Sequence, residues 1–472
     1  LSLLGSCAGV GLAVISVAGL RNFGPASVPR LHEVTLNSTA LLFTLGLSVF
    51  TTVLFGFVPA WRLSHVSPQA CLKESGQTGT ARASLRLQNF IAIGEIALAL
   101  VLLVGGSLLV RSFARLLQTP LGFDPNGTFV VRTIFDTPRY PLPAERMAVQ
   151  KEMLSRLSHL PGVTTVAIAS HLPLSDERGI GFHLEHAAPD DFHFAQNSLV
   201  SPGYFHAMGI GLRQGRNFTE QDEPKSPLVA IISDTMACEY FPGQDPVSQR
   251  FTWGDRGLFT IIGVAEDVHI SALDADPPPM IYQSIFQMQT WTGGHTAFLL
   301  RTNRAGEGLF REVQQQIWSI DKDLPLYNST TLATLVSDSL AQRRFTMLLL
   351  TAFSMIALLL AAIGLFGVIS YLVSQRQREM ALRMALGADR ANILGMVLKR
   401  GAVLGLAGCA AGLVLSLAGS RLLVTSLYQV SRFDPATLML VPLLLLAVVL
   451  LAVYLPARRA ASLDLMQILR IE

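Results

Sequence analysis

Apolar residues gather into six runs along the chain: Leu1–Leu20, Ser38–Ala60, Gln88–Val110, Phe345–Val373, Ile393–Val424 and Ala436–Leu455. Each is near the ~20 residues needed to cross a hydrocarbon core. Between the third and fourth runs the pattern changes. From Arg111 to about Gln342 polar positions dominate, and short stretches of period two alternate with stretches of period 3.6. The pattern predicts a polytopic helical membrane protein carrying one large domain outside the bilayer.

Inside the polar block, Phe129–Phe135 and Val163–Ala169 predict strands that flank a helix over Pro143–Leu160, with Met147, Leu154, Leu157 and Leu160 on one face. The same β-α-β order returns with a strand at Ala297–Arg301, a helix at Glu307–Ile320 and a short strand after Leu326. Two such halves predict one split α/β subdomain of the ferredoxin-like kind. The stretch between them, roughly 171–290, is punctuated by Pro and Gly and holds strand-like runs at Leu228–Ile232 and Phe259–Val264. It predicts an inserted, mainly β lobe, with Pro277-Pro278-Pro279 as a stiff connector.

Composition agrees: half of the residues are hydrophobic and the net charge is +3, while mean hydropathy is +0.44. Where the charge sits matters more than its sum. Arg62, Lys73, Arg82 and Arg86 follow the second run, and Arg376, Arg378, Arg383 and Arg390 follow the fourth. Arg458, Arg459 and Arg470 lie in the tail, whereas the alternate short loops hold only Arg21 and Arg30, or Arg432. By the positive-inside rule the three basic segments are cytoplasmic and 111–342 is external. The basic stretches lack interleaved aromatics, so no nucleic-acid partner is expected. Cys7 and Cys409 lie in spans, Cys71 is cytoplasmic, and Cys238 is alone in the external block. An internal disulfide there is excluded, and stability must come from an ordinary core.

A duplication is visible. Pro59-Ala60-Trp61-Arg62 closes the second run as Pro456-Ala457-Arg458-Arg459 closes the last, and Leu72-Lys73 answers Leu469-Arg470 at the same spacing. Leu1–Leu20 lacks a basic lead and a cleavage site, so it is read as a span and not a signal peptide. Residues 1–73 are expected to be the end of a first copy whose start is missing, joined by a linker over 74–87 to a complete second copy.

The segment Gln375-Arg-Gln-Arg-Glu-Met-Ala-Leu-Arg-Met-Ala-Leu-Gly-Ala-Asp-Arg390 follows a span directly. Its helical spacing places Met380, Met384 and Leu386 on one face and lets Glu379 and Arg383 pair at i, i+4, with Gly387 ending the helix. Taken alone it reads as a membrane-surface linker helix. Its R-E-x-x-x-R-x-A-L-G-A pattern is similar to the cytoplasmic loop of FtsX-like permeases, the MacB-type ABC transporter family. The plan of one span (88–110), a large external α/β domain (111–342), then three spans and a basic tail (343–472) resembles the same family. The doubled arrangement resembles its duplicated orphan permeases.

The resemblance implies a docking loop for a separate cytoplasmic ABC-type ATPase, carried by Arg378, Glu379, Arg383, Ala385, Leu386, Gly387 and Ala388. It further implies a bacterial inner-membrane location with 111–342 in the periplasm, and a mechanotransmission role in efflux or in lipoprotein or peptide export. A second permease copy and a periplasmic or outer-membrane protein are the further partners to expect, beside the bilayer itself. A different class stays open: a membrane-anchored regulatory scaffold whose external domain activates a partner such as a cell-wall hydrolase. No G-x-x-x-x-G-K-[ST] occurs at any of Lys73, Lys151, Lys225, Lys322 or Lys399, so a catalytic role and a bound cofactor are not expected.

Glu95 lies within the third run, and an intramembrane carboxylate is a functional candidate by default. Gly401, Gly405, Gly408 and Gly412 form a small-residue stripe suited to close helix packing, within the chain or in a dimer. His183, His186 and His193 with Glu185 are too loosely spaced, and too far from any cysteine, to predict a metal site.

Overall fold

The structure, a computed structural model, describes residues 2–23, 33–35, 37–53, 80–135, 140–175, 178–185, 191–288, 295–304, 307–386, 389–423, 428–431 and 433–461. In chain order the helices are α1 (Ser2–Phe23), α2 (Ser38–Thr52), α3 (Thr80–Leu116), α4 (Pro143–Ser158), α5 (Tyr204–Met208), α6 (Asp234–Tyr240), α7 (Glu307–Ile320), α8 (Leu332–Gln375), α9 (Gln377–Ala385), α10 (Arg390–Leu423) and α11 (Pro435–Ala461). The strands are β1 (Thr128–Ile134), β2 (Val163–Ala169), β3 (Gly179–Leu184), β4 (His193–Val200), β5 (Leu212–Gly215), β6 (Val229–Ser233), β7 (Arg250–Thr252), β8 (Leu258–Ala265), β9 (Met280–Ser284), β10 (His295–Thr302) and β11 (Leu326–Thr331). Two compact units result: Leu116–Leu340, and Leu1–Arg115 with Ala341–Glu472.

In the first of these units β11, β1, β10 and β2 lie side by side, all antiparallel. With α4 and α7 as crossovers this is the split β-α-β arrangement that the sequence predicts. Alternation explains the layers. Val131, Phe298 and Leu300 point to the side covered by Met153 and Leu157 of α4 and Val313 and Ile317 of α7. Val130, Ala297 and Leu299 point to the opposite side, against Tyr204, Phe205 and Met208 of α5. Because both faces are covered, these strands read as nearly continuous apolar runs.

The insertion is more ordered than a mainly β lobe suggests. β4, β3, β7, β8, β6 and β9 pair in succession, and β9 returns to pair with β4 in parallel register, Gln196 opposite Met280 through Val200 opposite Ser284. These pairings close a six-strand barrel. Phe182, Phe251 and Phe259 are fully buried in its core. Phe182 meets Phe251 edge-on at 5.8 Å, and Phe251 stacks on Phe259 at 5.5 Å. β2 joins the barrel to the split subdomain through a single pair, Ala169 with Val200.

In the other unit four helices are long and apolar enough to cross a membrane: Gln88–Leu116, Leu332–Gln375, Arg390–Gly419 and Pro435–Arg459. α1 and α2 carry shorter apolar stretches, Cys7–Gly19 and Ser38–Phe50. Six spans are therefore four among the described residues. The rest of the second predicted span, with the Pro59–Arg62 copy of the repeat and Leu72-Lys73, lies outside them. α11 continues through Pro456 to Ala461.

Candidate coupling site

Between two spanning helices the chain makes one short helix, α9, followed by Leu386 as its cap. Leu386 donates its backbone N–H to Leu382 O as the last helical bond, and its ψ of 7° then departs from helical values, which ends the helix. Glu379 Oε1 accepts from Arg383 Nη2 at 2.6 Å, and Arg376 lies 3.9 Å from its other oxygen. The pairing foreseen at i, i+4 is thus present. Both partners are close to half exposed, so it orders the helix face and adds little stability.

The apolar residues divide into two i, i+4 pairs on different sides of the helix. Met380 is buried in the core of this unit and Met384 packs beside it. Leu386 is 85% exposed and Leu382 is also exposed. Leu386 follows Met380 by six residues, about 240° around a helix of 3.6 residues per turn, so it falls on the side of Leu382 and the expected line of Met380, Met384 and Leu386 is broken. The side chains of Arg378 and Ala385 are not described, and Gly387 and Ala388 lie outside the described residues.

The glycine stripe serves two neighbours. A Cβ on Gly401 or Gly405 would strike Val453, or Leu446 and Val449, of α11, while one on Gly408 or Gly412 would strike Ile96 or Leu100 of α3. Each glycine thus admits a bulky side chain from a helix of the same chain, which is close packing of the kind lipid-embedded helices rely on.

Glu95 is half-buried against α8, and its carboxylate occupies the space that a Cβ on Gly364 would fill. It has no hydrogen-bond or ionic partner among the described residues. Two further contacts have no signal in local periodicity. Arg111 at the outer end of α3 bonds Asp434, whose Oδ2 also accepts from the Thr437 N–H and hydroxyl at 2.9 and 2.7 Å. Next to it Ser112 Oγ accepts from the Tyr428 N–H at 2.8 Å. The Thr437 hydroxyl and N–H, together with the Arg111 charge, hold the Asp434 carboxyl below the usual carboxylate range. The sequence signal for half of this latch is the Asp-Pro-x-Thr order at 434–437, a helix start with Pro at its first position.

Of the histidines, His183 Nδ1 lies 3.2 Å from Asp191 O, and the His193 ring packs on Phe182 and Tyr240. No group of three metal-ligating side chains comes together among the described residues.

Comparison with known proteins places this geometry. Residues 351–465 match the family described as FtsX-like permease C-terminal, a range that contains α9, and residues 90–314 match the MacB-like periplasmic core domain. The chain is 25% identical over 287 residues to the macrolide export ATP-binding/permease protein MacB of Mannheimia succiniciproducens, covering 57% of this chain and 43% of that protein. It is 26% identical over 330 residues to the pyoverdine export ATP-binding/permease protein PvdT of Pseudomonas syringae pv. syringae, covering 68% and 48%. The crystal structure of the periplasmic region of MacB from Actinobacillus actinomycetemcomitans superposes at a TM-score of 0.32 with 15% identity, covering 47% of this chain and 95% of that one. The chain spans about half the length, or less, of the curated relatives it matches. The two family matches follow one another along the chain and together cover well over half of the sequence, so the chain belongs to the MacB/FtsX-like permease family, as a multi-pass inner-membrane protein with a periplasmic α/β domain.

Proposed function

We propose that this chain is the membrane subunit of a MacB-type ABC system. An ABC-type ATPase outside this sequence grips the segment from Arg378 to Ala388, and closure of that ATPase moves the spanning helices and, through them, the periplasmic domain. The work done is export of a compound from the periplasmic side, which the names of the macrolide and pyoverdine exporters among its relatives support. The observation that carries the reading is α9 itself. It lies in a short loop between two spans, inside the FtsX-like match, with an ordered Glu379–Arg383 pair and an uncovered leucine at each of 382 and 386. A charged pair beside exposed leucines gives a partner both orientation and apolar area to bury.

The test is co-expression with the MacB-type ATPases of the same organism, followed by affinity capture from detergent. Wild-type protein should retain one ATPase and change its turnover. Glu379→Ala with Arg383→Ala, or Leu386→Asp alone, should reduce capture about tenfold, the effect of losing one hot-spot contact of 1–2 kcal/mol, while membrane insertion is unchanged. Equal capture by wild type and both variants would overturn the docking role of this loop.

A further inference from the structure

The chain enters the periplasmic unit from α3 and leaves it by α8. The two helices meet at two places. Near the inner end, Glu95 of α3 reaches into the space left by Gly364 of α8. Near the outer end the roles are exchanged. Ser354 of α8 lies over Gly106 of α3, where an added Cβ would come within 2.9 Å of the hydroxyl. That hydroxyl lies 2.7 Å from Leu102 O across the interface and 2.7 Å from Leu350 O on its own helix, so its one proton is shared between two carbonyls.

Each helix thus offers one polar side chain and one glycine, and each polar side chain occupies the partner's glycine. From Glu95 to Gly106 is about 16 Å and from Ser354 to Gly364 about 15 Å at the helical rise, so the two contacts match in spacing along both helices. Buried Ala99 and Ala361 belong to the same packed cluster. A shift of one helix by a single residue would lift both polar groups out of their glycines at once. Two contacts of opposite sense therefore fix sliding and tilt together, which neither would do alone.

We propose that α3 and α8 form one strut, locked by the Glu95–Gly364 and Ser354–Gly106 contacts, so that the periplasmic domain is driven by both helices moving as a single body. Glu95, Gly106, Ser354 and Gly364 are positioning residues for that motion. The functional half of this inference rests on the reading of the chain as an ABC permease; the geometric half does not.

A disulfide tests both. A Cβ on Gly106 lies 3.8 Å from Ser354 Cβ, the mean separation in natural disulfides. Gly106→Cys with Ser354→Cys, in full-length protein whose Cys7, Cys71, Cys238 and Cys409 are serine, should oxidise nearly completely in native membranes, read by mass spectrometry of the linked peptides. The yield should be the same with and without the captured ATPase and ATP, and oxidation should leave ATPase turnover in the complex within about twofold of the reduced protein. A poor yield, a yield that falls when ATP is added, or activity lost on oxidation and regained with dithiothreitol would overturn the strut, because the helices would then move past one another. If no ATPase is captured, the permease reading fails, and the cross-linking yield alone decides the geometry. A second series guards against misfolding. Gly364→Ala in the same background should lower the yield about tenfold, as overpacking by 1–2 kcal/mol predicts, and adding Glu95→Ala should restore it by making room for the methyl group. Failure of the double variant to recover would also overturn the proposal. Glu95→Gln, equal in shape, should cross-link like the parent.

Discussion

The two units of this molecule treat their apolar surfaces differently. In the periplasmic domain the large side chains are inside: Phe182, Phe251, Phe259, Phe298 and Tyr282 are fully buried, while ion pairs such as Arg156–Glu152 and Arg304–Glu312 lie at the surface. In the membrane unit large side chains lie on both sides: Ile96, Leu100, Leu365 and Leu445 are buried, but many others are not. Leu348, Phe353 and Ile363 of α8 and Leu440, Leu443 and Leu451 of α11 are each at least half exposed, while buried positions include Ala92, Ala97, Ala99 and Ala361. Water expels apolar area, so a soluble core is built from the side chains with most area to hide. Lipid does not, so helices there gain from close backbone approach and can leave many bulky residues to the acyl chains.

One residue type in both settings gives the largest expected contrast. Phe298→Ala, at the centre of β10, should destabilise the domain by about 3–5 kcal/mol and lower its melting temperature by roughly 10 °C. Phe353→Ala, 56% exposed on α8, should change stability by less than about 0.5 kcal/mol. Thermal melts of the detergent-solubilised chain, followed by protease resistance of each unit, measure both. Comparable losses from the two substitutions would mean that α8 is covered by protein at Phe353, and that the contrast between the units is false there.

The converse substitution sharpens the comparison from the membrane side. Gly408→Val places a methyl group inside Ile96 and should cost about 1–3 kcal/mol, seen as earlier loss of structure in a sodium dodecyl sulfate titration. Gly367→Val, where nothing lies within 4 Å of the added Cβ, should cost well under half of that. Equal effects would mean that helix propensity, and not the fit of Ile96, sets the response.

Much of this architecture was legible in the sequence, and what was not has a common cause. Local periodicity is enough for α4, α7, β2 and the four long spans, because the pattern that marks each element is also the face it buries. It is enough too for the Glu379–Arg383 pair, which needs one turn of helix. The barrel is another matter. Its closing pair joins β4 to β9, and β9 reads Met-Ile-Tyr-Gln-Ser with every residue buried, so neither alternation nor separation in sequence betrays the partner. Leu386 fails because the expected face miscounts the turn: six residues beyond Met380 is about 240° around the helix, the side of Leu382. The Arg111–Asp434 and Ser354–Leu102 contacts join positions 323 and 252 residues apart, a distance at which a single sequence carries no pairing signal.

The smallest expected effect lies in the water-facing unit. Asp222 has a side chain 7% exposed and accepts four hydrogen bonds: two from Arg216 at 2.9 Å each, and two from Thr219, its N–H at 2.8 Å and its hydroxyl at 3.2 Å. Burial alone would push its carboxyl up, but the Arg216 hydrogen bonds and charge and the Thr219 donors outweigh that and hold it below the usual range. A carboxyl whose folded pKa is depressed binds its proton less readily folded than unfolded. Its contribution is therefore fully present above the ordinary carboxylate pKa near 4, and is lost as the pH falls below that value and through the lowered folded one. The pH dependence of the domain's melting temperature should steepen below about pH 4 in wild type and flatten in Asp222→Asn, with the two curves converging at the acid end. Asn keeps two of the acceptor contacts at most and loses the charge opposite Arg216, so at neutral pH the variant should be less stable by about 1–2 kcal/mol. Parallel curves through the acid range would show that Asp222 titrates alike in both states, and that its four donors shape the loop without tying the domain's stability to pH.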